Sequence, residues 1–239
     1  GTGTIPVAGA GTRMMWYPGK AAFRAGYIEN TEWDDENVGL NTTAMGYGTT
    51  ASGDYSIALG NNTVASGYNS TAMGQFTVAS GSLSTALGQG ARASGEYSTA
   101  LGQLTVASGS NSTVMGLYST ADGVNSTAMG WGTLAIGNTS TAIGESTRAN
   151  GDFSTAMGLH TQAQSYASVV LGRYNVFSGN SLNWVPTDPL FVIGNGVSSS
   201  TPSNALTVYK NGNIDVNGTV TATGGNSTNW NDAYSWGNH

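Results

Sequence analysis

The sequence predicts an all-β solenoid, a parallel β-roll wound from ten copies of a fourteen-residue repeat. Glycine recurs every fourteen residues from Gly46 through Gly60, Gly74, Gly88, Gly102, Gly116, Gly130, Gly144 and Gly158 to Gly172, and a fixed period this short marks a chain wound in near-identical coils. A second series, Gly53, Gly67, Gly81, Gly95, Gly109, Gly123, Gly137 and Gly151, falls midway and breaks only at Ser165, so each unit is two seven-residue halves. Seven residues are too few for a helix hairpin. With five prolines and no glycine at every third position, the chain is not a collagen triple helix either.

In chain order, residues 1–40 lack the repeat. Arg13-Met14-Met15-Trp16-Tyr17-Pro18 and Ala21-Ala22-Phe23-Arg24-Ala25-Gly26 are rich in large side chains, as expected of a cap that closes the first coil. The acidic run Glu32-Trp33-Asp34-Asp35-Glu36-Asn37 offers hard oxygen ligands of the kind calcium takes. Its spacing does not match an EF-hand loop, and it reads as a solvated turn leading into the roll.

Residues 41–180 carry the repeat N-S-T-A-(M/L)-G-x-x-T-V-A-S-G-x, as in Asn69 to Gly81. Small and β-branched residues around an obligatory glycine suit a short strand and a tight turn, the glycine supplying positive φ. Neighbouring strand side chains face opposite ways. The alanine row (Ala44, Ala58, Ala72, Ala86, Ala100, Ala128, Ala142, Ala156) therefore lies opposite the row Met45, Leu59, Met73, Leu87, Leu101, Met115, Met129, Ile143, Met157 and Leu171. One row fills the coil. The other forms an apolar stripe about ten rungs tall, roughly 48 Å at about 4.8 Å per rung, more than a soluble monomer exposes. An identical stripe on an identical chain is the simplest cover, which predicts a homo-oligomer.

Ten units in register, N-S-T-A-M-G…T-V-A-S-G, resemble the head repeats of trimeric autotransporter adhesins, the YadA-like head, over roughly residues 41–180. The resemblance implies a left-handed parallel β-roll, a homotrimer, and a head that attaches bacteria to host surfaces or to one another. It does not extend to a membrane-anchor barrel or a long heptad stalk, neither of which occurs in this chain.

Residues 181–225 read as a β-rich stem or neck. Pro189-Leu190-Phe191-Val192-Ile193-Gly194 is a strand, and the stretch Asn204 to Val216 is a strand pair joined at Asn211-Gly212, a hairpin signal. This stem and the start of a tail at 226–239, with Asn229-Trp230-Asn231-Asp232, are similar to the stems of phage tail fibres and of surface proteins that end in a self-cleaving chaperone. The sequence stops within that tail, which predicts a fragment or matured product of something longer.

Composition points to an extracellular fibre, on a cell surface or on a virion or injection particle. Charged residues are 8% of the chain, cysteine is absent and the net charge is −6. Seven basic against thirteen acidic residues argue against a nucleic-acid partner, and no stretch is apolar enough to insert in a membrane. The histidines lie apart, His160 at a variable turn and His239 at the end, and the serines and threonines repeat as ladder residues without an adjacent base. No enzyme activity, cofactor or metal is expected. The sequons at Asn41, Asn61, Asn69, Asn111, Asn125, Asn138 and Asn226 mostly come from the repeat itself.

A ligand site belongs where the repeat varies, in the column Tyr47, Asn61, Gln75, Gln89, Gln103, Leu117, Trp131, Glu145, Leu159 and in the column Tyr55, Asn69, Leu83, Tyr97, Asn111, Asn125, Thr139, Phe153. Trp131, Tyr47, Tyr55, Tyr97, Tyr118 and Phe153 are the candidate contacts for a cell-surface glycan or matrix protein, or else pack between neighbouring chains. The expected function is adhesion. The alternatives are a receptor-binding tail fibre and, from the column Thr71, Thr85, Thr99, Thr113, Thr127, Thr141 and Thr155, an ice-binding protein. Those threonines share a face with the methionine row, which weighs against ice.

Overall fold

The computed structural model describes residues 4–223 and 225–227. Each repeat forms a five-residue strand and a two-residue strand, as in Thr71–Gln75 and Val78–Ala79. Successive long strands pair in parallel and in register within a fifteen-stranded sheet, and the short strands form a nine-stranded sheet across the coil. Ten long strands run from Thr43–Tyr47 to Val169–Arg173, but the last has no short-strand partner. The roll is therefore nine full turns and a closing strand rather than ten whole units.

The inside of the coil is made of the smallest side chains. Alanine fills the inward position of both strands, Ala72 and Ala79 among them, and Ser70 and Thr77 stand beside them, all with no exposed surface. Two sheets this close leave room for side chains no larger than threonine or valine along the roll, so the period-two alternation places methionine and leucine outside. A buried methyl contributes only about 0.8 kcal/mol; stability comes from repeating it at every rung. Inward hydroxyls bond locally where they bond at all, Ser70 Oγ donating to the Gly67 carbonyl at 2.7 Å.

The two glycine series answer different demands. Gly74 sits inside its strand at φ +122°, and a Cβ there would lie 2.0 Å from the Gly88 carbonyl oxygen. Gly81 is buried outside the left-handed region, yet a Cβ would meet the Gly95 oxygen at 2.0 Å. The second series is glycine because coils stack backbone on backbone, not because the chain must reverse there. Reversal falls to side-chain-bearing residues instead: Tyr55 (φ 61°), Leu83 (56°), Tyr97 (57°) and Phe153 (60°) at one corner, Phe76 (55°), Tyr118 (54°) and His160 (50°) at the other. Left-handed geometry is costly for such residues. It is held by stacking, since Tyr55 N–H donates to the Leu40 carbonyl at 2.7 Å and Phe76 N–H to the Asn61 carbonyl at 2.9 Å, each in the preceding coil.

Both ends of the coil are closed by large side chains. The hairpin of Gly11–Tyr17 with Ala22–Ile28 enters the roll because Ala22–Ile28 pairs in parallel with Thr43–Tyr47, Gly26 opposite Gly46. That register puts Arg24 opposite Ala44, at the inward alanine position and fully buried. Its Nη2 donates to Thr42 Oγ1 at 2.8 Å and to the Ala51 carbonyl at 3.1 Å, and burial lowers its pKa to about 10. Trp33, also fully buried, covers the coil mouth and donates Nε1–H to the Thr49 carbonyl at 2.8 Å. The acidic run is the turn its charges suggest, with Asp35 and Glu36 exposed, and it carries one buried side chain, Trp33, as a plug. Its carboxylates are engaged locally, Asp34 accepting from Gly9 N–H at 2.6 Å and Asp35 from the Tyr17 hydroxyl at 2.7 Å.

At the other end Pro189–Asn195 continues the sheet beside Val169–Arg173, with Val192 opposite Val170, Ile193 opposite Leu171 and Gly194 opposite Gly172. Asn204–Tyr209 and Ile214–Val216 then add as antiparallel strands around the turn at Asn211-Gly212, where Gly212 has φ +90°. Lys210 follows the first of them, its side chain enclosed between the rings of Trp184 at 5.0 Å and Tyr166 at 5.8 Å, 3.9 Å from Asp188 Oδ2.

Candidate functional site

The outer face of the long strands is the largest feature the chain leaves uncovered. Thr71 and Met73 point outward while Ala72 points in. Met45 is 43%, Met73 39% and Met157 40% exposed, and the rest of the row is half-buried. Strict register makes the row continuous, Met45 beside Leu59 and Leu59 beside Met73. The Thr71 column lies on this same face, so the threonine array is interleaved with an apolar one.

The six aromatic candidates do not converge on one site. Tyr47 and Trp131 end long strands at one edge of the roll, and Tyr118 occupies the left-handed position of that edge; Tyr55, Tyr97 and Phe153 occupy the left-handed positions of the opposite edge. Trp131 is 48% exposed between Leu117 and Glu145. Tyr118, Tyr97, Tyr55 and Phe153 are about as open. Tyr47 differs: its ring stacks on Tyr27 at 5.4 Å and its hydroxyl donates to Glu29, a bond that pushes its pKa up to about 12. It belongs to the cap's own packing.

Other aromatics join these edges. Tyr68 packs edge-on to Tyr55 at 5.5 Å, Tyr166 edge-on to Phe153 at 5.4 Å, and Phe76 stands 53% exposed at the edge that carries Tyr118. Tyr68 and Tyr166 sit immediately before a left-handed residue, and the variability of that preceding column is the sequence signal that would have found them. The Trp131 column also carries an amide ladder, Gln89 Nε2 donating to Gln75 Oε1 at 3.1 Å and Gln103 Nε2 to Gln89 Oε1 at 2.8 Å.

Among the described residues no three His, Cys, Asp or Glu side chains gather as metal ligands do. His160 lies at a turn, as its position after Gly158 suggests, and stacks on Tyr174 with centroids 4.8 Å apart. His239 and the stretch Asn229–Asp232 lie outside the described residues. The inward serines and threonines, Ser84 and Thr77 among them, have no exposed surface, whereas Ser66, Ser80, Ser94 and Ser108 are exposed on the outside of the coil. Exposed rings, amides and a long apolar face equip the molecule for association.

Comparison with curated proteins finds no match to the chain. A family model, the YadA head domain repeat (2 copies), matches residues 38–63, 56–77, 65–82, 79–105, 107–133 and 135–161, together just over half of the 239 residues. The matches all fall within the parallel roll and its entry, beginning just after the acidic run that holds Trp33. The chain belongs to the YadA head-repeat family.

Proposed function

We propose that the chain forms the homotrimeric head or shaft of an extracellular adhesive fibre, holding its owner to a surface that displays glycans or matrix protein. The observation that carries this reading is the uncovered methionine row: ten parallel rungs of half-exposed apolar side chains need a partner face. Heads of this family assemble as trimers, and a bundle of three presents each exposed edge three times. Individually weak contacts through Trp131, Tyr118, Tyr97, Tyr55 and Phe153 then add by avidity.

The test joins assembly to attachment. The wild-type protein should sediment as a trimer and bind members of a glycan and matrix-protein array. Met73→Asp places a charge in the apolar row; it should sediment as a monomer with its β-sheet circular dichroism retained, and lose array binding by about a hundredfold or more. A trimer formed by Met73→Asp removes the apolar row as the interface. Full array binding by a monomeric variant removes avidity as the source of attachment.

A further inference from the structure

Near the end of the roll the stem folds over one edge and turns it into a cleft of about 200 Å³, lined by Arg148, His160, Tyr174, Phe177 and Ser199 among others. Elsewhere this edge is an open column of left-handed residues; here it has a wall. The wall is fixed by backbone bonds, Gly196 N–H donating to the Arg173 carbonyl at 3.2 Å and Ser203 N–H to the Tyr174 carbonyl at 3.0 Å. A Cβ on Gly196 would lie 2.2 Å from the Tyr174 oxygen, so the stem turn seats directly on the roll backbone. The floor is fixed too: Asn175 accepts from Gln162 N–H at 2.7 Å and returns a bond to the Gln162 carbonyl at 3.0 Å. The cleft is preformed, as small-molecule sites usually are.

Its chemistry sets it apart from the rest of the surface. No carboxylate lines it, although the chain carries thirteen acidic residues against seven basic. Arg148 projects from the outer face of the short strand Arg148–Ala149, exposed, with no hydrogen bond or ion pair among the described residues. Lys20 and Lys210 are paired, with Asp35 at 3.1 Å and with Asp188, and Arg173, exposed like Arg148, does not line the cleft. Beside Arg148, the His160 ring is stacked on the Tyr174 ring within 12° of parallel, a pair that leaves its outer face and edges for contact, and Phe177, 52% exposed, offers a second apolar surface.

A free guanidinium beside aromatic faces fits a ligand with one carboxylate and an apolar ring face. A polyphosphate would need several cations and no platform; a neutral sugar would leave Arg148 unused. We infer that the cleft holds a single carboxylated pyranose, a uronic or sialic acid residue of a surface glycan, with its carboxylate on Arg148 and its ring against the aromatic surfaces. This rests on the attachment reading above and assigns it a ligand class.

The assembled protein would be titrated with glucuronic acid, N-acetylneuraminic acid, glucose, acetate and inorganic phosphate, followed by saturation-transfer NMR and calorimetry. Saturable binding of at least one sugar acid is expected, about tenfold or more tighter than glucose, acetate or phosphate. Arg148→Gln should lose about tenfold of it and Phe177→Ala a smaller part, while Arg92→Gln, in the same column as Arg148 but outside the cleft, should not change it. Equal binding of glucose, acetate or phosphate, undiminished binding by Arg148→Gln, or no saturable binding of either acid overturns the assignment. Array attachment measured in parallel separates the two claims: attachment without sugar-acid binding sinks the cleft alone, and sugar-acid binding without attachment sinks the adhesive reading alone.

Discussion

Inside and outside the coil the same strands obey opposite rules. Inward, alanine recurs at almost every rung, beside buried serine or threonine, and gives way to valine at Val114 and Val170. Outward, the same strands end in Tyr47, Gln75, Leu117, Trp131 or Glu145. The difference teaches that packing between two close sheets fixes residue size to within a methyl, whereas the outer face is constrained only to be apolar along one row. Stability is stored in the monotonous half, and the surface proposed for recognition is free to vary on the other.

The sharpest way to break this contrast is to put one carbon where coils meet. Gly74→Ala combines a φ of +122° with a Cβ 2.0 Å from the Gly88 oxygen. It should cost at least about 3 kcal/mol, read as a lower urea midpoint; a midpoint equal to wild type would mean that the coils are not stacked this tightly.

Ala100→Leu tests the inner row, where the fully buried Ala100 lies between Ala86 and Val114. Overpacking should cost about 1–3 kcal/mol. On the outside of the same strand a true enlargement, Gln103→Trp, at an exposed position whose column already holds Trp131, should fall within about 0.5 kcal/mol. Equal losses from the two would erase the inside–outside distinction.

A smaller effect comes from the cations at the two ends. Burial lowers Arg24 to about 10, and burial lowers Lys210 despite the opposing charge of Asp188. A cation whose folded pKa lies below its unfolded one binds fewer protons when folded, so its contribution to stability is flat well below the folded pKa and rises as the pH climbs through it, for Arg24 from about 10 upward. Tyr17, Tyr47 and Tyr209, raised above 10.0 chiefly by hydrogen bonds to carboxylates, pull the other way over the same range. The melting temperatures of the wild type and of Arg24→Gln should therefore differ by a constant amount near pH 7 and by a changing amount above pH 10; a difference that stays constant throughout contradicts this account.

The smallest stability change belongs to Trp131→Ala, within about 0.5 kcal/mol. Array attachment should nonetheless weaken severalfold while the sedimentation coefficient stays that of the wild type. Unchanged attachment would move recognition away from the Trp131 edge.

The roll is legible in the sequence because its cause is periodic: glycine every fourteen residues requires stacked coils, and the Ala72–Met73 alternation assigns their two faces. The corners are not legible, since nothing in Tyr97 or Phe153 as residue types announces left-handed backbone; neighbouring coils impose it through bonds such as Tyr97 N–H to the Ser82 carbonyl at 2.8 Å. The ends hide for a related reason. Arg24 reads as a surface cation until the parallel register sets it opposite Ala44, and Trp33 is masked by the charges around it. Of the candidate contacts, Trp131 and Tyr97 are exposed as their variable columns suggest, whereas Tyr47 is claimed by Glu29 and Tyr27, partners that only folding brings near.

The pairing that starts at the Gly11–Tyr17 hairpin continues without a break through the roll to Ile214–Val216. Strands lie across the stacking direction, so their amide bonds run along it, and a pull between the two ends would load those bonds in tension. One chain under such a pull would peel open a rung at a time, each step lengthening the fibre by a coil's worth of slack. Drag would thus be absorbed gradually, and neighbouring strands in a bundle would set how far the peeling travels.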